Sequence, residues 1–207
     1  MVGSTAILAA YFLLWAALHS LLASLRVKAW AERAFGPGTE RWYRLAFNAI
    51  AGLTILPWMA LIALLPDRPL YVIPFPWRWL AMAGQALALV VLLWTLVQTG
   101  PMHFVGIAQL LAAKPSEHNT LQIRGLYCYV RHPLYFFSLI LLWLVSVMTT
   151  NIATANVLIA LYFWIGSIAE EKKLLAEFGA AYANYQRHVP RLIPRLRRCY
   201  PPTENET

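Results

Sequence analysis

Long apolar runs broken by short polar stretches set the pattern of this chain. Thr5 to Leu25, Tyr43 to Leu65 and Trp79 to Gln98 are filled almost without charge. Each is close to the ~20 residues needed to cross a hydrocarbon core of about 30 Å. Two shorter runs, Leu134 to Met148 and Ile152 to Ala169, are separated only by Thr149, Thr150 and Asn151. So little connecting chain demands an antiparallel hairpin. The pattern predicts an all-α polytopic membrane bundle of about five transmembrane helices.

The segments outside these runs read differently. Glu170 to His188 repeats Leu174, Leu175, Phe178, Ala181, Tyr182 and Tyr185 at helical spacing. That spacing predicts a cytoplasmic amphipathic C-terminal helix on or near the membrane. Gly100-Pro101 ends the third run, and Met102 to Ala113 is apolar but too short to cross. Residues 1–200 read as a single integral membrane domain, and 201–207 as a disordered tail.

Composition supports the bilayer as solvent. Of the 207 residues, 60% are hydrophobic and 13% charged, with a mean hydropathy of +0.55. A soluble domain carries about a quarter charged residues. The net charge of +8 would suit nucleic acid, but most of the 17 Lys and Arg lie in residues 26–44 and 172–198, beside apolar runs. There they set orientation and meet anionic headgroups, so membrane lipids are expected as partners and nucleic acid is not. Segments after the first, third and fifth runs hold most of the positive charge, which predicts an N-terminus outside and a C-terminus in the cytoplasm. The N-terminal stretch lacks the basic region of a secretory signal, so the first run reads as a retained span. Cys128 and Cys199 are far apart and form no CxxC. That spacing excludes a disulfide framework and a structural zinc site of the usual kind, and no metal is expected.

Candidate chemistry gathers where the hairpin begins and ends. Pro133 suits the first turn of a helix, which puts Arg131 and His132 at the mouth of the fourth span. The hairpin returns Glu170 and Glu171, at the end of the fifth, to the same face. Adjacent acids at a helix C-terminus oppose its dipole and border a low-dielectric region. Arg131 could compensate them, and so could a bound cation such as a sulfonium or the amino group of a cofactor.

Several motifs carry a family resemblance. They run Gly125-x-Tyr127, Arg131-His132-Pro133-x-Tyr135, Glu170-Glu171, Phe178-Gly179-x-x-Tyr182-x-x-Tyr185 and Val189-Pro190-Arg191-x-Ile193-Pro194. In order and spacing they resemble the C-terminal core of isoprenylcysteine carboxyl methyltransferases, a pattern shared with phospholipid and methanethiol methyltransferases. The resemblance covers about 119–195 and implies a core that wraps S-adenosylmethionine on the cytoplasmic side. It implies cofactor binding by Gly125, Tyr127, Arg131, His132, Tyr135, Glu170 and Glu171, with Arg131, His132 and His19 as catalytic candidates. His19-Ser20 within LHSLLAS, and Gly106-Ile107-x-Gln109, are similar to bacterial methanethiol S-methyltransferases and to denitrification-associated membrane proteins. His103 departs from that pattern by standing near where an acidic residue is expected, and His118 by lying one position early.

The implied protein is a membrane-embedded S-adenosylmethionine-dependent methyltransferase of a bacterial inner membrane, acting on a small or lipophilic acceptor. A methanethiol-like thiol is the first reading. Isoprenylcysteine carboxyl or phospholipid amine methylation is the second, and a non-catalytic denitrification-associated protein the third. Displacement at a methyl on cationic sulfur needs mostly alignment, which can be worth about 7–11 kcal/mol. A thiol of pKa about 8.5, the cysteine reference, needs a base or cation to become thiolate, and His19, His132 and Arg131 are available. His19 and Ser20 also suit plain helix–helix hydrogen bonding.

Overall fold

The computed structural model describes residues 2–98, 102, 105, 107, 121, 123–195 and 199–200. Most of the short apolar segment 102–113, with His103, Gly106 and Gln109, lies outside the described residues, as do His118 and the tail 201–207. Four described helices are long and apolar enough to cross a membrane: α1 (Val2–Leu22), α3 (Thr39–Leu64), α4 (Trp77–Gln98) and α6 (Thr150–His188). The fourth apolar run forms a shorter helix, α5 (Pro133–Trp143). At 1.5 Å per residue it rises about 16 Å, roughly half a hydrocarbon core. The protein is an essentially all-α membrane protein.

The charged stretch after α1, a connection by its apolar pattern, is itself a helix, α2 (Leu25–Phe35). Ser24 caps it by accepting the Val27 N–H at 3.3 Å, and Gly36, at φ +85°, ends it with an N–H bond to the Glu32 carbonyl at 2.9 Å. Ala31 packs inward while Leu25, Trp30 and Phe35 stay exposed.

The chain divides into two compact units. The first comprises residues 1–72, 99–117 and 147–158. Within it, α1 and α3 join through aromatic side chains whose polar tips find backbone carbonyls. The Trp58 indole donates to Leu8 O at 2.9 Å, and the Tyr11 hydroxyl to Thr54 O at 2.8 Å. In lipid, where apolar burial does not drive helices together, such bonds add to close packing in holding the pair.

The end of α3 is tied to the start of α6 by the polar break Thr149-Thr150-Asn151. Strand β1 (Pro69–Val72) pairs antiparallel with β2 (Val147–Thr149). Asp67 accepts the Arg68 N–H at 2.8 Å and the Asn151 N–H at 3.0 Å, so a carboxylate sits at the N-terminus of α6. Burial works against its ionisation, but hydrogen bonds from Thr149, Asn151, Arg68 and Thr150 outweigh it and hold the Asp67 carboxyl below its ordinary value. Asn151 is fully buried and donates to Ile62 O at 3.3 Å and Leu65 O at 3.2 Å, the last carbonyls around the end of α3. Asn151→Leu is expected to cost about 1–3 kcal/mol, because it strands those carbonyls. Thermal melting in detergent checks this, and an unchanged midpoint would refute it.

The second unit comprises residues 73–98, 118–146 and 159–207. Here α4 lies against α5. Gly84 leaves room for Leu144, whose Cδ1 would stand 2.8 Å from a Cβ, and Gln85 donates to Leu141 O at 2.9 Å. The amphipathic segment 170–188 continues α6 directly and is broken within it by Gly179, at φ +54° and ψ −124°. Beyond that break Tyr182, Tyr185 and Val189 bury themselves with Ile123. Cys128 and Cys199, which their spacing leaves unpaired, form a disulfide with Cα atoms 4.7 Å apart. A separation of 71 residues hides that pairing from the sequence.

Candidate active site

The site is built around the start of α5. Pro133 occupies the first turn of the helix and His132 its N-cap position. Helix α6 passes Glu170 and Glu171 across this mouth, and Gly179 then turns the chain so that residues 186–191 come back to it. Two backbone bonds close the return, from Arg131 N–H to Pro190 O at 2.9 Å and from His132 N–H to Arg191 O at 3.1 Å.

Arg131 and Glu171 form a bidentate pair, Nε to Oε1 at 2.8 Å and Nη2 to Oε2 at 3.1 Å, with side chains only 8% and 3% exposed. The remaining end of the guanidinium, Nη1, donates to Gln186 O at 2.8 Å and Val189 O at 2.6 Å. Planar geometry lets one arginine hold a carboxylate and two carbonyls together. Arg191 adds Nε and Nη2 contacts to Glu171 Oε2 at 3.2 and 3.0 Å, and its guanidinium lies 5.6 Å from the Trp164 ring centre. Gln186 donates to the same oxygen at 3.1 Å.

His132 bridges the two carboxylates. Its Nε2 is 3.2 Å from Glu171 Oε1 and its Nδ1 3.6 Å from Glu170 Oε2. Burial pushes the imidazole pKa down. Glu170 and Glu171 pull it back in part, and the net shift is downward. His132 is therefore neutral at pH 7. With its proton on Nε2, toward Glu171, Nδ1 becomes an acceptor. Tyr135 stacks on His132 at 5.2 Å and donates to Glu170 Oε2 at 3.1 Å.

Gly125 and Tyr127 lie in a 3₁₀ turn, Gly125–Cys128, fastened by the Tyr185 hydroxyl to Tyr127 O at 2.6 Å. Gly125 has φ +59°, a conformation that side chains rarely adopt, and a Cβ there would meet Gln98 Oε1 at 2.7 Å. Burial, then the charge of Glu170, pushes the Tyr127 phenol up to about 12, so it stays protonated.

The structure thus brings Arg131, His132, Tyr135, Glu170 and Glu171 together in one cluster, Arg131, His132 and Glu171 by hydrogen bonds, Tyr135 and Glu170 by another, and the two sets by the stacking of Tyr135 on His132. The charge of Glu170 also reaches Tyr127. His19 belongs to the first unit, near the end of α1, where its ring lies 4.9 Å from Trp15 and 4.8 Å from Phe47. Arg191 and Gln186 are absent from the sequence-derived candidates. Arg191 had a signal in the Val-Pro-Arg motif, and Gln186 had none.

Apolar spanning helices and a buried arginine, histidine and carboxylate cluster at the start of the shorter α5 describe an integral membrane enzyme. The Isoprenylcysteine carboxyl methyltransferase (ICMT) family matches residues 78–177. A Methanethiol S-methyltransferase of Crocosphaera subtropica is 30% identical over 191 residues, covering 87% of this chain and 71% of the relative. One from a Pseudomonas species is 31% identical over 191 residues, covering 88% and 70%. One from Mycobacterium tuberculosis is 29% identical over 197 residues, covering 87% and 74%. No solved structure matches. The protein is a membrane methyltransferase. It belongs to the isoprenylcysteine carboxyl methyltransferase family and matches methanethiol S-methyltransferases along most of its length.

Proposed function

We propose that the protein transfers the methyl group of S-adenosylmethionine to a small thiol of the methanethiol kind, in a bacterial inner membrane. The observation that carries this reading is the match to methanethiol S-methyltransferases over 87–88% of the chain. The residues at the mouth of α5 fit such a donor: a half-exposed carboxylate, Glu170, for positive charge, and neutral His132 and Tyr135 rings for polar and stacking contacts. S-adenosylmethionine, when bound, supplies a methyl on a cationic sulfur. Gly125 and Tyr127 support the donor through their turn, and Arg131 and Glu171 hold the surrounding chain.

A thiol must lose its proton before its sulfur attacks. His132, neutral and buried, can take that proton. His19 is a second candidate, because LHSLLAS resembles the small-thiol group. Held there, S-adenosylmethionine would supply its methyl to the thiolate sulfur, and the products would be a thioether and S-adenosylhomocysteine.

A methyl-transfer assay comparing methanethiol, a prenylated cysteine and phosphatidylethanolamine tests the acceptor. Transfer to methanethiol is expected, with an activity loss of about a hundredfold or more in His19→Ala, the typical scale for a positioned base. Transfer confined to the prenylated or amine substrate would refute the small-thiol reading. Full activity in His19→Ala would make that histidine a packing residue.

The charge pattern supports a topology in which Asp67 and Asn151 face outward and Thr203 faces the cytoplasm. Cysteines introduced at the exposed position 67 and at position 203, in a background without Cys128 and Cys199, are expected to react with an impermeant thiol reagent only from those sides. Labelling of position 67 from the cytoplasm would overturn the orientation.

A further inference from the structure

The two adjacent carboxylates are not equivalent. Both oxygens of Glu171 are already occupied. Oε1 meets Arg131 Nε and His132 Nε2, and Oε2 meets Arg131 Nη2, Gln186 Nε2 and both Nε and Nη2 of Arg191. Six contacts converge on a group that offers about four lone-pair sites. Electrostatics point the same way. Arg131, Arg191 and Glu171 together carry a net charge of +1, so this triad repels a cation. Glu170 differs on every count. Its side chain is 49% exposed, and its partners in the cluster, the Tyr135 hydroxyl and the His132 imidazole, are neutral.

Resting on the donor reading above, we propose that the pair divides its labour. Glu170 meets the positive charge of the methyl donor. Glu171 is a positioning residue that, with Arg131, Arg191 and Gln186, holds residues 186–191 against the start of α5. The helix itself makes the division, because consecutive residues project about 100° apart. One carboxylate therefore turns into the protein when the next faces away. Glu170 also brings the local charge of the cluster to zero, and without it a cationic donor would face the net positive triad.

Three ligands separate the roles: S-adenosylmethionine, S-adenosylhomocysteine, which lacks the sulfonium but keeps the ammonium, and 5′-methylthioadenosine, which has neither charge. Their affinities are measured by calorimetry for wild type, Glu170→Gln, Glu171→Gln and Arg191→Lys, at a temperature where each variant is folded. Melting is followed separately without ligand. Glu170→Gln is expected to keep the unliganded melting temperature and the 5′-methylthioadenosine affinity, while S-adenosylmethionine binding weakens by about tenfold, the loss of one charge-assisted contact. An equal loss for S-adenosylhomocysteine assigns the contact to the ammonium, and no loss assigns it to the sulfonium. Glu171→Gln and, less severely, Arg191→Lys are expected to lower the unliganded melting temperature and weaken all three ligands alike. Glu170→Gln weakening all three equally, or Glu171→Gln weakening only the charged ligands at an unchanged melting temperature, would overturn the division. If wild type binds none of the three, the donor reading fails and Glu170's role fails with it. The unliganded melting of Glu171→Gln and Arg191→Lys then still decides the positioning role, and wild-type values for both would overturn it.

Discussion

Arg131→Ala is expected to destabilise the protein by about 3–5 kcal/mol, the range for breaking one side of a buried ion pair. The guanidinium satisfies Glu171 Oε1 and Oε2 and the carbonyls of Gln186 and Val189, all from one planar group that is 8% exposed. Alanine leaves a carboxylate that is 3% exposed with only Arg191 for charge, and two carbonyls without their donor. Lysine restores the charge but not the geometry, since one ammonium cannot span both carboxylate oxygens and both carbonyls. Arg131→Lys should therefore recover only part of the loss. Thermal melting in detergent reads the effect, expected as a fall of roughly 10 °C for a chain of this size. An alanine variant that melts with wild type would show that the strap at 186–191 is held by its backbone and apolar contacts alone.

The second large effect is expected at Gly179. Its φ of +54° with ψ of −124° lies where a β-branched residue is a true outlier, yet no atom lies within 4 Å of where a Cβ would be. Substitution is thus penalised through the backbone alone, by about 1–3 kcal/mol in Gly179→Val. The functional loss should exceed that figure. If α6 relieves the strain by straightening, Tyr182 and Tyr185 leave the Ile123 cluster, and Gln186, Val189 and Arg191 leave Arg131 and Glu171. Donor binding should fall by more than about tenfold, since 1.4 kcal/mol already corresponds to a factor of ten. Gly179→Ala should show the same direction with a smaller effect. Calorimetry with S-adenosylhomocysteine checks both variants, and wild-type affinity in Gly179→Val would mean that the bend is not needed to complete the site.

Much of this arrangement can be read from residue order. The apolar runs locate the spanning helices because length and composition alone decide what can sit in a bilayer. The three-residue break at Thr149 to Asn151 forces the hairpin, and the hairpin carries Glu170 and Glu171 to Arg131 and His132. What the sequence hid has identifiable causes. A run that is apolar throughout does not show where its helix stops, so α5 ended at Trp143 instead of reaching Met148. Helix α2 had both caps visible, Ser24 and Gly36, but charge spacing there reads equally well as a connection. The unequal fates of Glu170 and Glu171 depend on which face of α6 meets the rest of the protein, and no period in the sequence supplies that phase. Gln186 is one polar residue among several on an exposed-looking segment, and only the fold turns its amide onto Glu171. The Cys128–Cys199 link and the Asp67 cap on α6 are contacts between distant residues that no local pattern announces.

The strap at residues 186–191 also has a consequence for the order in which the protein is made. The chain emerges from the ribosome N-terminus first, so Arg131, His132 and Glu171 exist before Pro190 and Arg191 do. Until the last of these is synthesised, Arg131 lacks its Val189 and Pro190 partners, and Glu171 lacks Arg191. The spanning helices can enter the bilayer one after another while the cluster at the mouth of α5 stays unfinished. Completion of the site is thus a late event in biosynthesis, and a nascent chain halted before Val189 would be inserted but incompetent.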